Sequence, residues 1–543
     1  MSSFGQILKD VGELGLFQKR LVALLCIPSI FAAFNMFGQV FAGMSFPHHC
    51  NTDWILEHGP NLTVERRRNL TIPINKDGRF ESCKMFTPVD LDLETIEEDG
   101  INTTTGCIDG WDYETPVGAS SIMSEFDLVC DQKGLIEASL SIYMAGFLVG
   151  GLAYGAISDR FGRRFAILLC LSLVLLLDLT TALSPNIYVY MVLKFFCGSS
   201  GGVIMMNTTV MGVEWTSPSK SAVCTMAILL FVPVGLMVLP GVAYFISNWR
   251  ILQLVLFSPL LVIVGILYWF LPESARWLMT HGRKEEALKE LQRAARVNGR
   301  RVPEDLLDQV EMEVPCRREN MLDIFRVSYL RKRTLLMGFN WFSTSLLYFG
   351  MSLNVGSFGL NIYLTQFIFG AVEIPAQLST LFLIQRFGRR ISQAGFLLFG
   401  GAAFLLVLAI PKDLPEVVTA IAVLGKYFAT ASLCTAYVYT AELYPTSLRQ
   451  NGVGLNFMCA RVGGILAPLI RLLSVYHHTI PMLIYGSVPI ATSGFCLLLP
   501  ETLNVELQDH AELKKPKTGP TGDYTICAKQ KEEQEVFSPS GDV

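Results

Sequence analysis

Long apolar runs recur along most of the chain and are separated by shorter polar stretches. Examples are "FAILLCLSLVLLLDLTTAL" (Phe165–Leu183) and "ILQLVLFSPLLVIVGILYWFL" (Ile251–Leu271). Because a helix rises about 1.5 Å per residue, roughly 20 apolar residues are enough to cross a bilayer. The runs predict twelve membrane helices, near residues 21–43, 136–157, 165–183, 187–212, 221–246, 249–271, 334–354, 361–385, 391–411, 416–441, 451–474 and 480–499.

The polar stretches between these runs divide the chain into five parts. The parts are an N-terminal segment (1–20), a first six-helix bundle (21–271) that includes a polar loop (44–135), a linker (272–333), a second six-helix bundle (334–500) and a tail (501–543). The tail is charged and lacks apolar periodicity, so we expect it to be disordered.

Three short motifs occur once in each bundle. "DRFGRR" at Asp159–Arg164 returns as "QRFGRR" at Gln385–Arg390, 226 residues later. "VEW" around Glu214 returns as "AEL" around Glu442, and "LPESA" (271–275) returns as "LPETL" (499–503), both 228 residues later. A period this long indicates that each copy is half of the fold. We therefore predict an all-α membrane protein with twelve transmembrane helices in two six-helix pseudo-symmetric bundles.

The composition agrees with a membrane protein and argues against several functions. Hydrophobic residues make up 51% of the chain, charged residues make up 17%, and the mean hydropathy is +0.42, whereas soluble domains carry about 25% charged residues. No G-x-x-x-x-G-K-[ST] phosphate loop occurs, which argues against an ATP-driven pump. We predict no enzymatic activity, no cofactor, no metal site and no nucleic-acid partner. The predicted partners are the lipid bilayer and the transported solutes, and the sequence indicates no oligomeric state.

Charge predicts the orientation in the membrane. The linker carries fourteen Lys and Arg residues and the two RFGRR loops are short and basic, so these segments should face the cytoplasm. An even number of helices then places both termini inside and the first loop (44–135) outside. That loop has three glycosylation sequons, at Asn61, Asn69 and Asn102, and four cysteines suited to disulfides in an oxidising compartment, Cys50, Cys83, Cys107 and Cys130. The sequence leaves all three cysteine pairings open.

The repeated motifs place acids and arginines at the same end of both bundles. Such side chains can join neighbouring helix ends by charge-assisted hydrogen bonds, and a latch of this kind can form in one conformation and break in another. The alternative is that the arginines only fix topology, but topology alone would not require the carboxylates to repeat in register. The predicted latch residues are Asp159, Arg160, Arg163, Arg164, Glu214, Glu273, Arg386, Arg389, Arg390 and Glu442.

The motifs also resemble those of a known family. "GAISDRFGRR" is similar to the loop signature of the major facilitator superfamily. The organic ion transporter family, solute carrier family 22, has signatures similar to "LPESARWL", "AELYPTSLRQ", "VGELGLFQKR", "SEFDLVC" and "NWR", and it has a similar cysteine-bearing first loop. The resemblance implies a major facilitator fold with a substrate site near the bilayer midplane, to which access alternates by rocking of the two bundles.

One arginine lies in the middle of the predicted eleventh helix. Charges within the membrane are expensive and are functional candidates by default. Arg461 keeps its proton, and its planar fork matches a substrate carboxylate. The alternative is a structural ion pair with an acid on another helix, and the available acids are Glu137, Asp178 and Glu373. Ten residues further on, Arg471 is predicted to snorkel to the outer surface.

The resemblance adds further candidates to this site. Anion-carrying branches of the family have arginine at the position of Arg461, where cation-carrying branches typically have an acid. Lys426 matches another basic position of anion carriers, although a buried lysine can equally serve helix packing. Gln377 stands where anion carriers often have a basic residue, which favours monovalent substrates. The resemblance also assigns four residues to the cavity wall, where flat aromatic anions would stack: Tyr348, Phe349, Phe231 and Asn35.

The predicted function is a plasma-membrane secondary transporter of small organic anions. Family resemblance suggests aromatic or heteroaromatic monocarboxylates such as nicotinate, and urate, exchanged against internal counter-anions. Two alternatives stay open. One is a carrier of organic cations or zwitterions from the same family, against which Arg461 argues. The other is a transporter-like receptor without net transport.

Overall fold

Almost all the regular structure is helical. The computed structural model describes residues 4–75, 78–217, 220–300, 321–411, 413–445 and 448–503. The first half contains, in chain order, α1 (Phe4–Gly12), α2 (Leu16–Ala42), β1 (His48–Cys50), α3 (Val64–Thr71), β2 (Met85–Phe86), α4 (Leu93–Asp99), β3 (Thr104–Thr105), β4 (Trp111–Tyr113), α5 (Ile122–Glu125), α6 (Gly134–Phe161), α7 (Arg163–Thr181), α8 (Ile187–Glu214), α9 (Ser221–Leu229), α10 (Phe231–Phe245), α11 (Trp249–Phe257), α12 (Leu260–Phe270), α13 (Ala275–Thr280) and α14 (Lys284–Val297). The second half contains α15 (Met321–Arg326), α16 (Ser328–Leu353), α17 (Ile362–Phe387), α18 (Arg389–Ala409), α19 (Pro415–Leu443), α20 (Arg449–Leu472) and α21 (Thr479–Cys496).

This architecture confirms the predicted fold of two six-helix bundles. Eleven spans in the described part of the chain are long and apolar enough to cross a membrane, with α9–α10 and α11–α12 each forming one span. The twelfth long helix is α16, which has 26 residues. The largest differences from the predicted ends are at α2 and α16, which begin at Leu16 and Ser328. Both helices continue past their apolar runs into polar and basic residues. The predicted tail lies outside the described residues, apart from positions 501–503.

Helix α16 is unusually polar for a membrane helix. Gln393 of α18 donates to the Asn340 side-chain oxygen (2.7 Å) and to the Ser432 hydroxyl (2.9 Å). The hydroxyls of Ser343 and Thr492 are also hydrogen-bonded to each other (2.6 Å). Buried polar groups need such partners because they have left water. The polar side chains of α16 therefore face its neighbouring helices and not lipid.

Two predicted membrane helices are broken near a proline. α9 and α10 meet at Leu230, three residues before Pro233, while α11 and α12 meet at Ser258 and Pro259. Proline has no N–H, so it cannot donate the hydrogen bond to the carbonyl four residues earlier that continues a helix. The fifth and sixth membrane segments are therefore each two shorter helices.

The bundle has two chemically different ends. We call one the basic end, because it carries the α6–α7 and α17–α18 loops with their arginines, together with α13 and α14. The opposite end carries the domain formed by residues 44–133, and we call it the disulfide end. The N-terminal segment also lies at the basic end, because Asn298 accepts from the Phe17 N–H and donates to the Val11 carbonyl, each at 2.9 Å.

The domain at the disulfide end has little regular structure of its own. β1 pairs with β4 and β2 pairs with β3, both antiparallel. Two disulfides cross-link it, Cys50–Cys107 and Cys83–Cys130. The structure thus gives one of the three pairings that the sequence left open.

A charged contact fixes this domain to the first half. The Glu125 carboxylate of α5 accepts from the Trp249 indole N–H (2.6 Å) and from the Arg250 guanidinium (2.7 Å) at the start of α11. Arg250 also donates to the carbonyl oxygens of Ala182 and Ser184, in the turn after α7. The family signatures "SEFDLVC" and "NWR" therefore meet in space.

The two halves touch at the disulfide end. Tyr363 of α17 stacks on Phe41 of α2, with ring centroids 5.5 Å apart, and packs edge-on against Tyr244 of α10. Arg471 of α20 forms an ion pair with Glu137 of α6 (3.3 Å). The Arg471 side chain is 39% exposed at this end, so its snorkelling to the outer surface stays a prediction, to which the structure adds a carboxylate partner from the other half of the protein.

At the basic end the second half has a core of its own. Among the described residues, that cluster includes Ile324, Leu330, Met337, Tyr439 and Tyr444, and no residue of the first half joins it. The main core, in contrast, contains residues of both halves. The bundle is thus closed at the disulfide end, while the two halves pack separately at the basic end.

Candidate substrate site and ion-pair network

Arg461 lies at the interface between the two halves, near the middle of α20. Its guanidinium sits over the ring of Phe147 of α6, with the central carbon 3.6 Å from the ring centroid. A cation over an aromatic face is stabilised by about 0.5–2 kcal/mol, which is less than a buried arginine gains from a carboxylate. Within the described residues, no acid lies within ion-pair distance of Arg461.

The three acids that could have paired with Arg461 each hold another base. Asp178 binds Lys194 (2.9 Å), and Glu373 binds Lys426 (2.7 Å). Glu137 is the partner of Arg471, as described above. Each of these pairs is self-neutralising. The guanidinium of Arg461 is the one mid-membrane charge of the described helices that these pairs leave uncompensated.

Lys426 lies in a compact buried cluster within the second half. Its ammonium group contacts Glu373 and donates to the Ser352 hydroxyl (2.7 Å), and it lies 3.6 Å from the centroid of the Tyr348 ring. The Tyr348 hydroxyl donates to the same carboxylate oxygen of Glu373 (2.8 Å). Phe37 of α2 covers the cluster from the first half, with its ring centroid 5.9 Å from the ammonium group. Lys426 is therefore already neutralised, which sequence reasoning did not anticipate.

Both polar atoms of the Asn35 side chain are already hydrogen-bonded within the protein. Its amide donates to Asp178 (2.6 Å), and its oxygen accepts from the Tyr143 hydroxyl (2.6 Å). The Asp178 carboxylate also accepts hydrogen bonds from the Lys194 ammonium group and the Gln253 amide. This network ties α2, α6, α7, α8 and α11 together, so the structure places Asn35 in the packing of the first half.

Three other predicted cavity residues, Phe349, Gln377 and Phe231, are not held in such a polar network by the described residues. Phe349 packs on Gly464, one turn from Arg461, where an added Cβ would lie 3.2 Å from the ring. Gln377 lies one turn after Glu373, and its side-chain oxygen is buried without a partner among the described residues. Phe231 is 37% exposed and begins α10. Tyr348 and Phe349 pack edge-on at 5.5 Å and connect the Lys426 cluster to the surroundings of Arg461.

The predicted latch residues meet at the basic end. Arg163, the first residue of α7, donates to Asp159 near the end of α6 (2.6 Å) and to Glu214 at the end of α8 (3.3 Å). Arg389, the first residue of α18, binds Glu442 near the end of α19 through two hydrogen bonds of 2.9 Å. Each set of contacts stays within its own half and ties consecutive helices together.

Glu273 adds a second kind of contact to the first set. Its carboxylate accepts from the backbone N–H groups of Arg163 (2.9 Å) and Arg164 (3.1 Å), at the N-terminus of α7. A negative charge there stabilises a helix by about 0.3–1 kcal/mol. Gly162 precedes this turn with φ +104°, and an added Cβ would lie 2.3 Å from the Glu273 carboxylate. The glycine of the RFGRR motif is thus required both by its backbone angle and by the close approach of the acid.

Glu501 repeats this arrangement in the second half. It accepts from the backbone N–H groups of Arg389 (2.8 Å) and Arg390 (3.1 Å), beside Gly388 at φ +87°. Sequence reasoning did not propose Glu501, although the echo of "LPESA" in "LPETL" was the signal that could have found it.

The two capping acids differ in their titration. Burial raises the pKa of Glu273, although its backbone hydrogen bonds act in the opposite direction. Burial also acts to raise the pKa of Glu501, but it is less enclosed, and the N–H groups of Arg389 and its neighbours lower the pKa below the usual value. The Glu273 carboxylate of the first half is therefore more easily protonated than the equivalent Glu501 carboxylate of the second half.

The side chains of the remaining predicted latch arginines do not join these contacts, although the backbone N–H groups of Arg164 and Arg390 do. Arg160 lies over the ring of its neighbour Phe161. Arg164 donates to the Tyr268 carbonyl. Arg386 is exposed. In the described part of the chain, no carboxylate lies within ion-pair distance of the side chains of Arg160, Arg386 and Arg390.

Comparison with solved structures identifies the fold. The fold is similar to that of the xylose transporter XylE from E. coli in a partially occluded inward open conformation, with a TM-score of 0.57, 14% identity, and coverage of 90% of this chain and 100% of that chain. The two six-helix halves therefore have the fold of that transporter.

Comparison of sequences defines the family. Residues 101–513 match the family described as "Sugar (and other) transporter". Solute carrier family 22 member 13 of Homo sapiens is 43% identical over 512 residues, which cover 94% of this chain and 92% of the human protein. Organic anion transporter 3 of Oryctolagus cuniculus is 36% identical over 518 residues, covering 94% and 93%. The chain belongs to solute carrier family 22, within the sugar (and other) transporter family.

Proposed function

We propose that this protein carries small organic anions across the plasma membrane by alternating access, with Arg461 binding the substrate anion. The observation that carries the proposal is the uncompensated charge of Arg461 at the interface between the two halves. Relatives named as organic anion transporters support the substrate class. The aromatic side chains of Phe147 and Phe349 near Arg461 suit flat rings, so nicotinate, related aromatic monocarboxylates and urate are the proposed substrates.

The balance of charge supports a monovalent substrate. The pairs Lys194–Asp178, Lys426–Glu373 and Arg471–Glu137 are each neutral, so the site carries one net positive charge. A monoanion neutralises that charge, whereas a dianion would bring an unpaired negative charge into a low-dielectric site. An organic cation would meet the uncompensated Arg461, and the acid that could attract it, Glu373, is held by Lys426. This disfavours the cation carrier.

The deciding experiment is uptake of nicotinate, urate and a model organic cation in one expression system. We expect uptake of both anions and none of the cation. Anions loaded inside the cell should accelerate uptake if the transporter is an exchanger. Uptake of the cation alone would refute the proposal, and binding without uptake of any solute would favour a receptor.

We propose that the basic end faces the cytoplasm, which places both termini inside. The sequon asparagines Asn61, Asn69 and Asn102 are all exposed at the disulfide end. Removing them one by one with Asn→Gln should lower the apparent mass on a gel stepwise, and glycosidase treatment should abolish the differences. Asn207 lies in a fourth sequon but is buried in α8, so Asn207→Gln is the matched control and should change nothing. An unchanged mass for all three loop variants would contradict this topology.

The predicted latch should govern turnover and not affinity. Asp159→Ala and Arg163→Ala break the contacts between α6, α7 and α8, which lie far from Arg461, so maximal uptake should fall several-fold while apparent affinity stays within about twofold. Lys289→Ala removes an exposed charge from α14 at the same end and serves as the control. Maximal uptake that is unchanged at normal surface abundance would contradict a latch.

A further inference from the structure

A second basic site lies at the basic end of the second half. The start of α16, the start of α18 and the segment after α21 line an open cavity of about 320 Å³. Three cationic side chains line it, Lys332, Arg333 and Arg390, together with Tyr329 and the apolar residues 497–500. No part of this cavity belongs to the substrate site around Arg461.

Several polar groups of the cavity lack partners within the described residues. The Arg390 Nε and the Tyr329 hydroxyl are both buried without a hydrogen bond. Among the residues that the structure describes, no carboxylate lies within ion-pair distance of Lys332 or of the Arg390 guanidinium. Arg333 lies over the Tyr329 ring (5.0 Å), and within the described part of the chain its hydrogen bond is a long contact of 3.5 Å to the Leu443 carbonyl. Buried donors without acceptors cost free energy, and one anionic group in the cavity would supply acceptors to several of them.

The first half shows how the equivalent position is filled. Arg164 corresponds to Arg390 in the repeated motif, and its guanidinium donates to the Tyr268 carbonyl and lies over the Tyr268 ring. Glu290 of α14 is also near, since burial raises the pKa of that acid while Arg293 and Arg164 oppose the rise. The Nε atoms of both arginines lack a hydrogen-bond partner among the described residues. Arg164 is nevertheless covered by Tyr268 of its own half, whereas Arg390 lines a cavity in the described second half.

The surroundings of the cavity are those of a bilayer boundary. α16 passes from the basic residues Arg331–Arg333 into its membrane-embedded turns. Beside the cavity, Leu497 and Leu498 are 52% and 60% exposed. Cations next to exposed leucines match a molecule that has an anionic head and apolar chains. A free inorganic anion has no apolar part that could contact the leucines.

We propose that this cavity binds the phosphate-bearing headgroup of an anionic phospholipid from the leaflet at the basic end. Lys332 and Arg390 contact the phosphate, and Tyr329 donates its hydroxyl to it. The acyl chains lie along Leu497 and Leu498. The lipid then fills the position that Tyr268 and α14 occupy in the first half.

The test uses the purified full chain in detergent and measures binding of short-chain lipids by native mass spectrometry. We expect a dioctanoyl phosphatidylinositol phosphate to bind, and dioctanoyl phosphatidylcholine to bind at least tenfold more weakly. Lys332→Ala should weaken binding of the anionic lipid about tenfold, as expected for the loss of one charge-assisted contact. Tyr329→Phe should weaken it several-fold, and this variant keeps the charge and the packing of the site.

Arg331→Ala is the matched control, because it removes an equal charge one residue away from the cavity lining. An equal loss with Arg331→Ala would show general surface attraction and overturn the proposal. Inorganic phosphate competing at the lipid's own concentration would show a free-phosphate site instead. Binding by a chain ending at Leu503, but not by the full chain, would show that the protein's own tail occupies the cavity.

Discussion

Replacing Arg461 by alanine should lower the apparent affinity for nicotinate about ten- to hundredfold. The substrate carboxylate would lose its charge-assisted hydrogen bonds, each of which contributes about 1.5–3 kcal/mol, and about 1.4 kcal/mol corresponds to a factor of ten. Arg461→Lys keeps the charge but loses the planar fork, so it should show a smaller loss with unchanged selectivity. The measurement is concentration-dependent uptake normalised to surface protein by biotinylation.

A structural role for Arg461 predicts a different result. If the cation were required for folding, the alanine variant would fail to reach the cell surface, and lysine would restore surface abundance and affinity together. Because no described acid pairs with Arg461, alanine leaves no carboxylate stranded, and we expect near-normal surface abundance. Normal surface protein with unaltered nicotinate affinity would refute the binding role.

Replacing Glu373 by glutamine should widen the substrate range to dicarboxylates. Glutamine keeps the shape but not the charge, so Lys426 becomes a second uncompensated cation and the site changes from one net positive charge to two. We expect a dicarboxylate such as succinate to inhibit nicotinate uptake at least tenfold more strongly than in the original protein. The measurement is the inhibition constant of succinate against labelled nicotinate, with direct succinate uptake as a second readout.

The double variant Glu373→Gln/Lys426→Gln is the control for this prediction. Breaking a buried ion pair costs about 3–5 kcal/mol, mostly from the stranded charge, so the single variant should also reach the surface less well. Removing both charges returns the site to one net positive charge, which should restore surface abundance and abolish the response to succinate. A single variant that is well expressed and still indifferent to succinate would mean that Lys426 has lost its proton or does not face the substrate.

Periodicity and repetition were enough to predict the fold. The apolar runs placed all twelve membrane helices, because the bilayer allows few other arrangements for such runs. The ends of α2 and α16 were missed by several residues, because polar side chains continue both helices beyond the lipid. The breaks at Leu230 and Pro259 were missed because a short interruption leaves the apolar run intact.

The site was harder to predict, because it depends on how the helices are rotated. Sequence reasoning singled out Arg461, whose binding role stays a prediction. It did not anticipate that Glu373 holds Lys426, since these two residues lie on different helices. Asn35 illustrates the same problem. A polar residue on a membrane helix can face either a cavity or a neighbouring helix, and here it binds Asp178. The pairing of the loop cysteines likewise depends on how the loop folds back on itself.

The contact of Glu125 with Trp249 and Arg250 has a consequence for observing the transporter at work. Because this contact fixes the domain at the disulfide end to the first half, we expect the domain to move together with the first half during transport. A fluorescent or spin label on the domain would then report the position of the first half from outside the membrane. With a second label in the α17–α18 or α20–α21 region of the second half, the distance between the two labels would report how the halves move relative to each other during the transport cycle.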